Sequence, residues 1–463
     1  MTSLNEELND VGEPEFLHNK SESDITETKN RPPIENKGCW HNITRPLSPG
    51  SLRAVILLWM RMTMGVGVLT LPYYMSQFGI LFGCLILLMC SLLTYFSCKF
   101  IFEATDVSNV TDYITLIEKM LSKRVYKLFR FTYFIDLMFP ILVYTIFSWS
   151  LYENLLYSFG FMKEEWVEDH RKLTFKEFTP EVYLRRAIYF GILFLAQIPL
   201  MLQKSLKAFK PISMVFLATL GILIMWILCE MPFFNNSLGP KGELNVELWF
   251  KKPTWQAVPQ IFSILLSFYV MPYILNLRQE LADPILRRTK KIALNSILAE
   301  LIIFILFCSI VYACLGDRFT PSLVIIRKPF EGKNEISELL FKFVIFLFFV
   351  LNTVGIACYN PPIVDNLKNF FNSKNKKFNT ALQLLPFGLS VIISILVPNI
   401  LTIFWILGLT VCNFNGFIIP VLLKLELLGM QIGTGKQKIK YYLLLAFYIA
   451  CGIGGIAIKV LDL

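Results

Sequence analysis

Apolar segments of about 20 residues, the length that carries an α-helix across a bilayer, follow one another along most of this 463-residue chain. In the hydrocarbon core each backbone amide must find its partner inside such a segment. The runs are continuous and do not alternate, which excludes a transmembrane barrel. The sequence therefore predicts an all-α integral membrane protein with eleven transmembrane helices, at 52–76, 79–103, 127–157, 184–202, 211–231, 255–278, 290–315, 337–360, 380–398, 400–424 and 440–461.

Composition agrees with a membrane protein and excludes other classes. Hydrophobic residues make up 55% of the chain and charged residues 17%, which excludes a soluble domain. The net charge of +10 does not indicate a nucleic-acid partner, because Lys and Arg lie in short loops between the apolar segments. The ten cysteines form no CxxC pair, and the three histidines lie outside the apolar segments. We therefore predict no catalytic residue, no metal site, no other cofactor and no enzyme activity.

Basic residues are concentrated in alternate loops, as in Arg287-Arg288 and around Lys438. The positive-inside rule makes those loops and the N-terminus cytosolic, so eleven segments leave the C-terminus outside or in a lumen. We expect a plasma membrane or a vacuolar or lysosomal membrane. Residues 1–50 are polar and predict a disordered cytosolic tail before a transmembrane domain at 51–463. Asn235 lies on the outer side in an Asn-Asn-Ser pattern and is a candidate glycosylation site.

The first apolar segment is interrupted where a membrane helix should be most regular. Arg61 lies roughly 14 Å past the start of the segment, near the middle of a bilayer core of about 30 Å. Gly65, Gly67 and Pro72 follow it. Irregular backbone and charge at that depth are tolerated only inside protein or beside a watery cavity.

The sixth segment has a similar interruption at Ser267, Tyr269 and Pro272. Each interrupted segment is the first of a block of five segments, at about 52–231 and 255–424. Because five is an odd number, the second block enters the membrane from the side opposite to the first. The pattern predicts a 5+5 inverted repeat plus one extra helix at 440–461. Interrupted helices at matching positions are typical of the binding site of a secondary transporter.

Backbone groups at the two interruptions are the predicted substrate ligands. Amides at the first interruption would take a carboxylate at a half-helix N-terminus, and freed carbonyls at the second would hold an ammonium. The alternatives are a packing notch at the glycines and a simple proline kink at the second site. The predicted substrate-binding residues are Thr63, Met64, Gly65, Val66, Gly67, Ser267, Phe268 and Tyr269.

Polar residues within other segments could line the same cavity. Tyr133, Asp136, Pro140 and Tyr144 share one face of the third segment by helical spacing. Interhelical hydrogen bonds without a transport role are the alternative for the uncharged ones. The further cavity-lining candidates are Tyr144, Asn352, Thr353 and Asn413.

Four motifs in this order resemble the amino acid/auxin permease family over about residues 50–460. They are Gly65-Val-Gly67 through Pro72, Ser267-Phe268-Tyr269 through Glu280-Leu-Ala-Asp-Pro284, Tyr312 through Gly316-Asp317, and Gly408 through Phe417-Ile-Ile-Pro420. The resemblance implies a leucine-transporter-type fold and amino acid transport. Many sodium-coupled members carry Asn where this chain has Arg61, which favours proton coupling or ion independence. Tyr269, Val270 and Met271 replace a polar pair frequent in the family, so the identity of the amino acid stays open.

Arg61, Asp136 and Glu300 are the ion-coupling candidates. The Arg61 guanidinium either forms a structural ion pair or stands in for a coupling cation. In the fold implied by the resemblance the third span packs on the first, so Asp136 is the expected partner of Arg61. Glu300 would then be the freer carrier of a proton.

We therefore predict a secondary active or facilitative amino acid transporter that works by alternating access. Its partners would be an amino acid as a small-molecule substrate, protons where transport is coupled, and the lipid bilayer. The alternatives are an amino-acid sensor that uses the same cavity and an ion channel. No ring of acids typical of a channel filter is visible in the sequence.

Overall fold

Helices make up almost all of the regular structure in the computed structural model, and the residues it describes contain no β-strand. These residues are 50–65, 67–161, 180–202, 210–234, 246–247, 249–251, 257–316, 335–371, 375–397, 400–430 and 435–461. The predicted tail (residues 1–49), Val66 and the candidate glycosylation site Asn235 lie outside them. The expectations for these residues stay predictions.

Sixteen α-helices are numbered here in chain order. They are α1 Leu52–Thr63, α2 Gly67–Ser76, α3 Ile80–Ser108, α4 Tyr113–Met120, α5 Lys123–Ser158, α6 Pro180–Met201, α7 Lys210–Phe234, α8 Gln260–Leu266, α9 Ile274–Gln279, α10 Leu286–Leu315, α11 Glu335–Ile356, α12 Asn360–Phe371, α13 Lys376–Leu396, α14 Ile400–Leu407, α15 Ile419–Met430 and α16 Gly435–Leu461. Short 3₁₀ turns at Met271–Tyr273 and Ala357–Tyr359 and π-helical stretches at Gly408–Cys412 and Phe414–Ile418 join some of them.

Nine helical stretches in the described part of the chain are long and apolar enough to cross a membrane. The pair α1 and α2, bent by 60°, adds a tenth if it counts as one span. In α7 the apolar stretch Met214–Cys229 is shorter than the others. The prediction of an all-α multi-pass membrane protein is thus confirmed, and the count of eleven spans stays a prediction.

The surface of α10 shows why these helices suit lipid. Its exposed side chains recur every four residues, which places them on one face of the helix. Its opposite face buries Thr289, Ser296 and Glu300. A helix with apolar residues outward and polar residues inward is typical of a membrane bundle with a functional interior. The exposed residues are Leu294, Leu298, Ile302, Leu306 and Ile310.

Two groups of helices form the packing around the interruptions. In the first, α10 packs on α3, α1 and α2, and α8 packs on α2 and α3. In the second, α5 packs on α11 and α13, and α13 also packs on α6. Helix α7 contacts α1, α10 and α11 and so touches both groups.

Candidate functional site

The first interruption separates α1 from α2. Helix α1 ends at Thr63, and the backbone of Met64 leaves the helical region with φ −75° and ψ 73°. The amide of Gly65 donates to the carbonyl of Thr63 at 2.8 Å, in place of the usual bond to the fourth residue back. Helix α2 starts at Gly67, and the amides of its first turn have no partner within the helix.

The second interruption separates α8 from α9. The amides of Ser267, Phe268 and Tyr269 donate to carbonyls three residues back, at 3.0 to 3.2 Å. The backbone of Val270 then departs from the helix, with φ −128° and ψ 0°. Pro272 has no amide hydrogen, so it cannot donate to the carbonyl of Phe268. Both interruptions expected from glycine and proline are therefore present in the fold.

The two interruptions approach each other closely. A Cβ atom added to Gly67 would lie 3.0 Å from the Ser267 hydroxyl oxygen. A Cβ atom added to Gly65 would collide with the Tyr144 hydroxyl, which comes from α5. A side chain at position 65 would displace the tyrosine, and a side chain at position 67 would make a tight contact with the second segment.

A cavity of about 60 Å³ lies between the interruptions and α5. Ligand sites more often measure about 300 to 1,000 Å³, so side chains must move before an amino acid enters. Its lining includes seven of the predicted site residues. These are Thr63, Gly65, Gly67, Asp136, Tyr144, Ser267 and Tyr269.

Asp136 connects α5 to the second interruption and to the π-helical stretches. Its Oδ2 accepts hydrogen bonds from the Tyr269 hydroxyl at 2.6 Å and from Nδ2 of Asn415 at 3.1 Å. The Cys412 thiol lies 3.6 Å from its Oδ1. The side chain is 1% exposed. The donors that hold the Asp136 carboxylate in the described part of the chain are thus all neutral.

Two tyrosines fasten the second interruption to α5. The Tyr133 hydroxyl donates to the carbonyl of Pro272 at 2.9 Å. The Tyr273 hydroxyl donates to the carbonyl of Leu137 at 3.4 Å. These bonds satisfy backbone groups in and next to the irregular region, as burial requires.

Arg61 is buried among aromatic rings and does not pair with Asp136, so the expected ion pair is wrong. Its Nη1 donates to the hydroxyls of Tyr144 at 3.0 Å and Tyr359 at 3.2 Å. The guanidinium carbon lies 3.9 Å from the centre of the Phe216 ring, a cation–π contact. Within the described part of the chain, no acceptor reaches its Nε or Nη2. The pairing is absent because Arg61 contacts α5 at Tyr144, eight residues further along the helix than Asp136.

Glu300 of α10 contacts the first interruption from the other side. The Thr63 hydroxyl, in the last turn of α1, donates to its Oε1. Its Oε2 has no partner among the described residues, and the side chain is fully buried. Glu300 lies behind the cavity wall and reaches the site through Thr63.

The remaining candidates lie around the cavity, and none of them lines it. Asn352 donates to the carbonyl of Tyr144 at 3.2 Å, and the carbonyl of Thr353 accepts from Gln197 at 2.8 Å. Asn413 donates to the carbonyl of Tyr448 on α16 at 2.9 Å. These are interhelical hydrogen bonds, the alternative interpretation given above. Met64 is buried beside the cavity.

Phe268, a predicted substrate ligand, is fully buried away from the cavity. Its ring packs on Phe304 with the ring centres 5.0 Å apart. Several lining residues were not singled out from the sequence. Phe139 and Val143 lie next to the predicted face of α5, and helical spacing from Asp136 could have identified them. Phe404 also lines the cavity, whereas Tyr359 and Cys412 lie behind the lining and contact Arg61 and Asp136. These three residues come from distant segments, and no local pattern indicates their positions.

The Arg61 cluster should behave as one energetic unit. We expect Tyr144→Phe and Tyr359→Phe each to lower the free energy of unfolding by about 1 to 3 kcal/mol, because each removes an acceptor from a buried cation. In the Arg61→Met background both losses should shrink by about 0.5 to 3 kcal/mol, the range for coupled contacts. Thermal unfolding of the purified variants measures the cycle. Additive effects in both backgrounds would show that Arg61 is not coupled to the hydroxyls.

Comparison of the sequence with known proteins agrees with this architecture. A "Putative amino acid transporter AAT1" of Plasmodium berghei (strain Anka) is 23% identical over 341 residues, 73% of this chain and 50% of the relative. The protein of the same name from Plasmodium falciparum (isolate 3D7) is 22% identical over 303 residues, 65% of this chain and 45% of that relative. The chain thus spans about half the length of these curated relatives.

A family model described as "Transmembrane amino acid transporter protein" matches residues 48–462. That match covers the whole series of helices and confirms the resemblance stated from the motifs. The chain therefore belongs to the transmembrane amino acid transporter family.

Proposed function

We propose that this chain is a secondary carrier of amino acids that works by alternating access. The observation that carries the proposal is that two interrupted helices, α1–α2 and α8–α9, meet across a buried cavity that both of them line. Paired interruptions of this kind supply unpaired amides and carbonyls at membrane depth without ionised ligands. An amino acid suits such a pair of interruptions, because its carboxylate can accept from the amides and its ammonium can donate to the carbonyls.

The proposed carrier has eleven spans arranged as two inverted blocks of five plus α16. The interruptions support this arrangement because each falls in the first span of its block. Helix α7 would be the fifth span, although its apolar stretch is shorter than the others. We place the N-terminus in the cytosol and the C-terminus outside or in a lumen, in a plasma or a vacuolar or lysosomal membrane. The basic start of α10 supports this orientation, with Arg287 and Arg288 at its cytosolic end.

In the proposed binding mode the first turn of α2 takes the substrate carboxylate, and the carbonyls before Pro272 take the ammonium. Thr63, Gly65, Gly67 and Ser267 surround this space. The small cavity represents a contracted state, in which Tyr144 and Tyr269 occupy part of the substrate volume. Opening to either side requires these rings to move together with the interrupted segments.

The charge of Arg61 is a physical reason why transport would not be coupled to sodium. A fixed guanidinium about 4 Å from a sodium ion would repel it by about 4 kcal/mol at an effective dielectric constant of 20. The arginine remains charged at any pH at which the protein is folded. Its charge, held between α1, α5 and α7, would replace the structural role of a bound cation.

Glu300 is the proposed proton carrier. Among the described residues, one of its oxygens has no partner and the other accepts a hydrogen bond from Thr63 at the end of α1. A buried carboxylate without a cation is costly as an anion, so proton uptake can accompany movement of α1. The Cys98 thiol of α3 is close enough to Glu300 to interact with it electrostatically.

Substitution at the first interruption tests the carrier proposal. Gly65→Ala should lower counterflow of labelled amino acids in proteoliposomes by about 10-fold or more, since a misplaced binding group costs about 2 kcal/mol or more. Gly221→Ala is the matched control, because a Cβ there meets nothing within 4 Å. Binding without counterflow by the wild type would favour a sensor, and conductance far above carrier turnover would favour a channel.

Sodium dependence tests the role of Arg61. Arg61→Asn should make uptake rise several-fold when sodium replaces an inert cation, because the repulsion is removed and an oxygen ligand is added. Arg61→Met removes the same charge without adding a ligand and should not respond to sodium. If Arg61→Asn folds, transports and remains indifferent to sodium, the proposal that the Arg61 charge replaces a coupling cation is wrong.

The pH profile tests Glu300. Wild-type uptake should fall as external pH rises, since fewer carriers are protonated on the outer side. Glu300→Gln should flatten this profile, because the amide resembles the protonated acid at every pH. Glu118→Gln, on the exposed face of α4, should keep the wild-type profile. A wild type that is indifferent to pH would exclude proton coupling through this residue.

A further inference from the structure

Among the described residues that line the cavity, Asp136 is the only one with a carboxylate side chain. The same set of residues contains no Lys, Arg or His. Apolar groups of Phe139, Val143 and Phe404 lie around the same space. The proposed binding mode uses backbone groups for the amino acid's own carboxylate and ammonium. The function of an additional buried acid in the wall is therefore not explained by recognition of the zwitterion.

The carboxylate has no cation as a partner in the described part of the chain. Arg61 donates to tyrosine hydroxyls, and the donors at Asp136 are Tyr269, Asn415 and Cys412. A carboxylate offers about four acceptor positions, and a thiol is a weak donor, so Oδ1 retains acceptor capacity. A buried charge held by neutral groups alone gains most when a cation arrives.

We propose that the cavity selects amino acids with a cationic side chain, and that their ammonium or guanidinium group binds Asp136. The inference rests on the proposed carrier function and specifies its substrate class. The methylene stem of such a side chain would pack against the apolar wall while its charged end reaches the acid. A hydrogen-bonded ion pair with the substrate cation would replace the hydrogen bond from the uncharged Tyr269 hydroxyl.

Displacement of Tyr269 would connect recognition to movement. Tyr269 belongs to the second interruption, and its ring packs directly on the backbone of Gly416 in the π-helical stretch. A substrate cation at Asp136 would release the hydroxyl that now fastens this segment to α5. Binding of the correct side chain would thus remove one of the bonds that keep the cavity contracted.

The wild-type protein allows a test that requires no substitution. Ornithine and norvaline have stems of similar length, and only ornithine carries the terminal ammonium. In proteoliposome counterflow the half-saturating concentration of ornithine should be about 10- to 100-fold lower than that of norvaline, the range for a charged hydrogen bond. Equal affinities, or a preference for norvaline, would overturn the inference and leave the carrier function standing. Failure of every amino acid to exchange would overturn both.

Substitution of the acid identifies the residue responsible. Asp136→Asn should lose the preference for ornithine by about 10-fold or more, while norvaline still exchanges. Tyr269→Phe retains Asp136 and removes the hydroxyl that competes with the substrate cation for its carboxylate. The preference for ornithine over norvaline should therefore persist or increase. Glu118→Gln removes an exposed acid and should leave the ratio unchanged. An Asp136→Asn variant that keeps the ornithine-to-norvaline ratio and loses only a pH dependence would show that the acid binds a proton, and the inference would be wrong.

Discussion

Unpaired backbone cannot face lipid, and this constraint explains most of the arrangement around the interruptions. Wherever α1–α2 and α8–α9 leave the helical path, protein groups approach them, and helix α5 supplies the closest ones. Its Tyr133 hydroxyl donates to the carbonyl of Pro272, and its Tyr144 hydroxyl lies against Gly65. Helix α5 contains its own proline, Pro140, which cannot donate to the carbonyl of Asp136. Helix α5 is thus polar along the face that contacts the two interruptions, where unpaired backbone groups need hydrogen-bond partners.

The two buried charges at the site remain apart for a geometric reason. Arg61 binds Tyr144, which lies eight residues, or roughly 12 Å, along α5 from Asp136. The two groups therefore form no direct ion pair, and each is held by its own set of neutral partners among the described residues. With respect to the residues that the structure describes, each group keeps unsatisfied bonding capacity, at Nη2 of Arg61 and Oδ1 of Asp136.

Local sequence predicts the parts of this site that depend on local chemistry. The glycines at 65 and 67 and the proline at 272 locate both interruptions, because those residue types decide whether a helix can continue. Helical spacing likewise predicts the polar face of α5. The partner of Arg61 could not be predicted, since Tyr359 and Phe216 are brought to it by packing across the fold. The positions of Asn352 and Asn413 outside the cavity lining have the same reason, because a polar residue in a span indicates burial but not its neighbour.

Three glycines show how the large side chains of the site are held. Tyr144 packs on Gly65, Arg61 on Gly355 and Tyr269 on Gly416, each at a distance that a Cβ atom would prevent. A ring or guanidinium that rests on bare backbone has little room to change rotamer. Such a side chain moves when the backbone beneath it moves, and those backbones belong to α11, the first interruption and a π-helical stretch. The rings that narrow the cavity would therefore open it through displacement of whole segments, as alternating access requires, and not through independent side-chain rotation.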